Sequence, residues 1–167
     1  IFFADYGRRL LPSTAGRTTM CPTELFYDQQ TAHAYVRLLP IETRLQERSL
    51  QELKKDSACW VNYPLDLASA DQVAEALGEV IQTRQVSLEQ AVSLGLYDTK
   101  QHPHHTTPPE SVEIPKWRHA LISFPHPLLK QGLCILDTPG LNALGSEPEL
   151  TLNMLPSAQA VLFVLGA

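Results

Sequence analysis

The chain has 167 residues, 44% hydrophobic and 19% charged, enough for one globular domain of ordinary size and unlike a disordered tail. A net charge of −5 leaves no overall basic footprint, so no nucleic-acid partner is expected. No apolar run approaches the ~20 residues of a membrane-spanning helix. Cys21, Cys59 and Cys134 are scattered and form no Cys-x-x-Cys pair, which argues for a reducing compartment and against structural zinc.

In chain order, residues 1–7 read as the end of a helix stopped by Gly7. Residues 8–22 carry Pro, Gly, Ser and Thr without an apolar period, and so form a long loop. Within it Thr18 and Thr19 follow Gly16; a threonine hydroxyl is a compact hard-oxygen ligand suited to Mg2+, although in isolation such a pair is an ordinary solvated turn. Thr23–Tyr27 and His33–Leu39 are β-prone runs, and Asp28–Thr31 between them predicts a hairpin, with Pro40 ending the second run.

Residues 41–111 change character and are expected to be a mostly helical insertion followed by a Pro/His-rich linker. Glu42–Lys55 is charged, with sparse apolar positions at Leu45, Leu50 and Leu53. Ser69-Ala-Asp-Gln72 is a capping pattern before Val73, Ala76, Leu77, Val80 and Ile81, which share one helical face. Ser87–Gln90 repeats the signal before a short helix ending near Gly95. The histidines at His102, His104 and His105 lie among prolines, a setting that favours a solvated loop over a metal site.

Trp117–Phe124 is a strand, and Leu133–Leu136 a second, apolar and buried strand in which Cys134 packs as a small hydrophobe. The turn residues of 125–132 between them predict an adjacent antiparallel pair. Asp137-Thr138-Pro139-Gly140 leaves the second strand: a carboxylate there can hold a metal ion's water shell, and the glycine lets a backbone N–H approach a phosphate. A short helix over 147–155 and an apolar strand over 160–165 follow.

This order, with Leu11-Pro12 and Gly16-Arg-Thr-Thr-Met-Cys-Pro22, Leu136-Asp-Thr-Pro-Gly-Leu141 and Val161–Leu165, resembles the GTPase domain of the dynamin superfamily, and within it the bacterial dynamin-like proteins. The resemblance covers residues 1–40 and about 112–167. It implies a partial P-loop GTPase (Ras-like) α/β fold of three layers, with a mostly parallel sheet containing one antiparallel strand, plus the helical insertion. It implies GTP as substrate and Mg2+ as cofactor. Thr19 would ligate Mg2+ through its hydroxyl and help place the attacking water through its carbonyl. Asp137 would hold Mg2+ through water, and the Gly140 N–H would contact the γ-phosphate. Thr18, Thr138 and Pro139 complete the nucleotide loops. Leu141 stands where Ras-like proteins carry a water-orienting glutamine, in keeping with the dynamin branch.

Neither the P-loop pattern Gly-x-x-x-x-Gly-Lys-Ser/Thr nor the guanine-reading Asn/Thr-Lys-x-Asp motif occurs in the chain. The chain is therefore expected to be the central part of a dynamin-type GTPase domain, with the P-loop before Ile1 and the guanine motif beyond Ala167, and to be inactive alone. In the intact protein the resemblance implies self-association through the GTPase domain, and a cytoplasmic location, peripheral on the inner face of a membrane. The alternative is a catalytically inactive GTPase-like module that binds a partner through its insertion.

Overall fold

A computed structural model describes residues 21–97, 110–138 and 158–161. The helix end at 1–7, the Thr18–Thr19 loop, the histidine linker, the helix over 147–155 and most of the strand at 160–165 lie outside the described residues.

Among the described residues seven strands and four α-helices follow one another as β1 Thr23–Phe26, β2 Tyr35–Pro40, α1 Leu50–Lys55, β3 Val61–Pro64, α2 Ala70–Glu79, β4 Thr83–Ser87, α3 Leu88–Ser93, β5 Ser111–Pro115, β6 Trp117–Ser123, α4 Pro127–Lys130 and β7 Ile135–Asp137. Five strands form one sheet in the order β3-β2-β6-β1-β7, and β4 pairs with β5 in a second, two-stranded sheet.

The expected hairpin between the first two runs is not formed. β6 lies between them, parallel to β1 and antiparallel to β2. The chain reverses direction as expected, but the connection 27–34 must span two strand spacings, about 10 Å, rather than one. Asp28 organises that span: its carboxylate accepts the Gln30 and Thr31 N–H groups, and its carbonyl accepts that of Ala32, which takes φ +53. Buried Ser123, at the end of β6, anchors both sides, accepting from Asp28 N–H and donating to the His33 carbonyl.

The second expected pair is corrected in the same way. β6 and β7 are not neighbours, because β1 sits between them, antiparallel to β7. The mostly parallel sheet is corrected too: among the described strands only β1–β6 is parallel, and β3–β2, β2–β6 and β1–β7 are antiparallel. A parallel pair needs a long crossover, and here only the long passage from β1 to β6 supplies one.

Side chains alternate across the sheet. One face, with Val36, Leu38, Ala120 and Ile122, packs on Val73, Ala76, Leu77 and Val80 of α2 and its end. The other, with Leu39 and Leu121, packs on Leu50 and Leu53 of α1 and on Trp60. Helices therefore cover both faces, giving three layers. Val86, Ala91, Leu94, Val112 and Ile114 form a smaller core with Ile41 beside the second sheet.

The segment after Pro40 is more varied than one charged helix. It runs through short 3-10 turns at Ile41–Leu45 and Ser57–Cys59 around α1, and it contributes β3 to the main sheet and β4 to the small one. Both predicted serine caps form: Ser69 accepts from Gln72 N–H and Ser87 from Gln90 N–H. Gln72 does not return to Ser69; it accepts from Asp66 N–H and donates to the Pro64 carbonyl, fixing the turn between β3 and α2. Gly95, at φ +67, closes α3, with Leu96 N–H donating to Ala91 O and Gly95 N–H to Val92 O.

Candidate functional site

β7 is shorter than the apolar run suggested and is not buried. It begins at Ile135, Leu133 before it is 42% exposed, and Cys134 is exposed rather than packed in a core. Among the described residues β7 is the last strand of the sheet, with β1 its neighbour, and only partly buried.

Asp137 is the last residue of β7 and is exposed, with Thr138 following it out of the strand. The antiparallel register sets Thr23↔Asp137, Glu24↔Leu136 and Leu25↔Ile135. Asp137 thus lies at the start of β1, beside the point where the chain arrives from Thr18 and Thr19. Cys21, two residues after Thr19, lies close enough to feel the Asp137 charge. Burial pushes the Cys21 thiol up to about 12, opposed by a hydrogen bond with Thr23 and aided by the Asp137 carboxylate. Cys21 is seated in the α2-side core, its thiol 3.8 Å from the Val80 carbonyl oxygen. Thr18, Thr19, Pro139 and Gly140 lie outside the described residues. The structure therefore places two of the six expected site residues, Asp137 and Thr138, and brings the chain entering β1 to the first of them.

Behind this edge, on the α1 face, is a cluster that the sequence did not announce. Glu24 accepts at one carboxylate oxygen from both Lys54 of α1 and His119 of β6, the latter at 3.0 Å. His119 is fully buried and stands edge-on to Trp60, whose indole N–H donates to Leu53 O at 2.8 Å. Burial pushes the Glu24 carboxyl up, but the hydrogen bonds and charges of His119 and Lys54 outweigh it and bring the group down to about 2 from an ordinary 4.5. A single charged residue inside a β-prone run was the available signal.

The pH consequence follows from the sign of that shift. A carboxyl depressed on folding contributes stability that is complete above about 4.5 and is lost as pH falls toward about 2. At about 1.4 kcal/mol per unit, the contribution is about 3 kcal/mol. Denaturant unfolding of the parent and of Glu24→Gln should therefore differ most at neutral pH and converge between pH 4.5 and 2. A gap that stays constant across this range contradicts the assignment.

Comparison with known proteins bears on the family of the chain. The sequence profile of the dynamin family matches residues 6–167. The chain belongs to the dynamin family. A bacterial dynamin-like protein of Nostoc punctiforme is 38% identical over 54 residues, which are 32% of this chain and 8% of that protein. The isoniazid-induced protein IniA of Mycobacterium tuberculosis is 51% identical over 45 residues, 26% of this chain and 7% of that protein. The similarity thus spans a small part of each relative's length. No solved structure matches.

Membership of the dynamin family brings the P-loop GTPase fold and identifies the chain as part of a nucleotide-binding, GTPase-type domain. Among the described residues no helix is long and apolar enough to cross a membrane, and no group of three or more His, Cys, Asp or Glu side chains could hold a metal ion. Of the residues expected to hold Mg2+, Asp137 alone is among the described ones, and an exposed carboxylate at a strand end is of the chemical type that suits an ion which keeps several waters and takes few protein oxygens.

Proposed function

We propose that this dynamin-family chain supplies the two loops that sense the terminal phosphate of GTP, and that the intact protein hydrolyses GTP. The supporting observation is the register Thr23↔Asp137, which brings the segment arriving from Thr19 and the segment leaving toward Gly140 to one sheet edge. In this reading Thr19 gives its hydroxyl to Mg2+ and its carbonyl to the attacking water. Asp137 holds the ion through water. The Gly140 N–H donates to the γ-phosphate, and Thr18, Thr138 and Pro139 shape the loops around it. Bound Mg2+ would neutralise phosphate charge during transfer to water. Contacts to the terminal phosphate would order both loops, and hydrolysis would release them.

Self-association of the GTPase domain, attachment to the inner face of a membrane and membrane remodelling accompany this reading as traits of the dynamin resemblance. Support for them is family membership and likeness to a protein named dynamin-like.

The test is phosphate release from GTP by the intact protein. Turnover should require Mg2+ and stop on chelation, and Thr19→Ala should lower it by roughly 100-fold. Unchanged turnover in Thr19→Ala refutes the assignment of that threonine. An intact protein that neither binds nor hydrolyses GTP favours the inactive interaction module.

A further inference from the structure

β1 and β7 share three register pairs, and β7 is three residues long and only partly buried. Few ladder hydrogen bonds and little packing therefore specify how the strands align. Yet a slip of one residue would exchange the faces of every β1 side chain and move Thr23 away from Asp137. On its other side β1 is paired with β6 over the four residues Thr23–Phe26, so where β1 sits against β6 also decides which of its residues is opposite Asp137.

We propose that the Lys54–Glu24–His119 cluster is a register key, which holds β1 in its place against β6 and α1 and so keeps Thr23 opposite Asp137; its catalytic consequence rests on the GTPase reading above. The two nitrogen partners are carried by other elements than β1. Lys54 is carried by α1, which is seated through Leu50 and Leu53 against Leu39, Leu121 and Trp60. His119 is fixed in β6 by complete burial and by its edge contact with Trp60 at 6.3 Å between ring centroids. Glu24 meets both only when it faces α1. A one-residue slip would turn its carboxylate toward the face built from Val36, Leu38, Ala120, Ile122 and α2, where the core is apolar. An ionised carboxylate stripped of its partners is strongly disfavoured there. Partly buried charge pairs of this kind add little net stability over an apolar substitute, but they can select one alignment among several. Lys54 and Glu24 are thus positioning residues, acting on the nucleotide loops through the strand.

Two readouts on the intact protein separate this role from simple stabilisation. The variants are Glu24→Leu/Lys54→Met, which replaces the ion pair with apolar groups, and Lys54→Arg, which keeps the charge. Below the melting temperature of each variant, the apolar double variant should lose at least roughly tenfold in kcat for GTP, with a smaller change in KM. Lys54→Arg should stay within about threefold of the parent. A folded double variant with the parent's kcat overturns the proposal. If that variant does not fold, Glu24→Gln is read by the same criteria.

Alignment is measured directly with Leu25→Cys/Ile135→Cys in a Cys134→Ser background, since Leu25 and Ile135 are opposite each other. Disulfide yield should be high with the key intact and at least about threefold lower without it. Equal yields overturn the register key. If the parent turns over no GTP, the GTPase reading fails while the cross-linking result still decides the key.

Discussion

Asp137→Ala is expected to lower GTP turnover by the intact protein by at least roughly 100-fold, about 2.7 kcal/mol of transition-state stabilisation, while shifting stability by less than about 1 kcal/mol. The two expectations come from different features of one residue. Asp137 ends a strand and is exposed, and among the described residues it belongs to no core cluster. Asp137 is opposite Thr23, four residues after Thr19 in the chain, and the proposed function puts the ion at this edge. Under the proposed function, removing the carboxylate removes the acceptor that would hold that ion's waters at the step where phosphate charge must be neutralised. Asp137→Asn keeps the oxygen but not the charge, and should fall between parent and alanine. Phosphate release at saturating GTP, repeated over a Mg2+ titration, checks this: a loss rescued by more Mg2+ indicates weakened ion binding, and a loss that persists indicates misplaced charge. Wild-type turnover in Asp137→Ala would remove this carboxylate from the site.

What could be read from sequence depended on how local each feature is. The strands near 23–27, 33–39 and 117–124 were legible from their own β-branched and aromatic content, and α2 from its cap and its apolar face. Strand order was not, because nothing in Asp28–Thr31 indicates that a strand almost a hundred residues later inserts beside β1. The buried Ser123, bonded to both Asp28 and His33, records that insertion only in three dimensions. β3 and β4 were missed for a different reason. Val61-Asn-Tyr-Pro64 is short and mostly exposed, and in Thr83–Ser87 only Val86 is buried, so neither shows a usable alternation. Cys134 illustrates the opposite error: a run of apolar residues reads as buried on both faces, whereas β7 is the last strand among those described.

The site divided along similar lines. Asp137 stood out because an acid directly after an apolar strand and before Thr-Pro-Gly is a local pattern, and its role is a proposal. Its partnership with the start of β1 became visible only through the register. Glu24, Lys54 and His119 could not have been grouped from sequence, since they come from β1, α1 and β6 and each alone is an ordinary charged or polar residue. Thr19 and Gly140, lying outside the described residues, keep the roles their resemblance implies as proposals.

Leu77→Ala should be the most destabilising single truncation, at about 2–5 kcal/mol. Leu77 is fully buried in the α2 face, in the cluster that holds Val36, Leu38, Val73, Trp117 and Ile122. Removing three methyl or methylene-scale carbons loses their transfer energy and leaves a cavity that backbone on both sides resists closing. The strands below are held by β6 at the sheet centre, and α2 is tied at its end by the Trp117 indole N–H donating to Glu79 O at 2.7 Å. Against a typical total of about 5–15 kcal/mol, this loss should move the denaturant midpoint strongly with little change in slope. Leu45→Ala is the control: Leu45 is 60% exposed, and its truncation should stay within about 0.5 kcal/mol. The pair also separates folding from chemistry. Well below its melting temperature Leu77→Ala should retain turnover far closer to the parent than Asp137→Ala, because among the described residues Leu77 packs in the core beside Cys21 and the sheet. Equal loss of turnover in both variants, with Leu77→Ala still folded, would mean that the α2 face controls the chemistry directly.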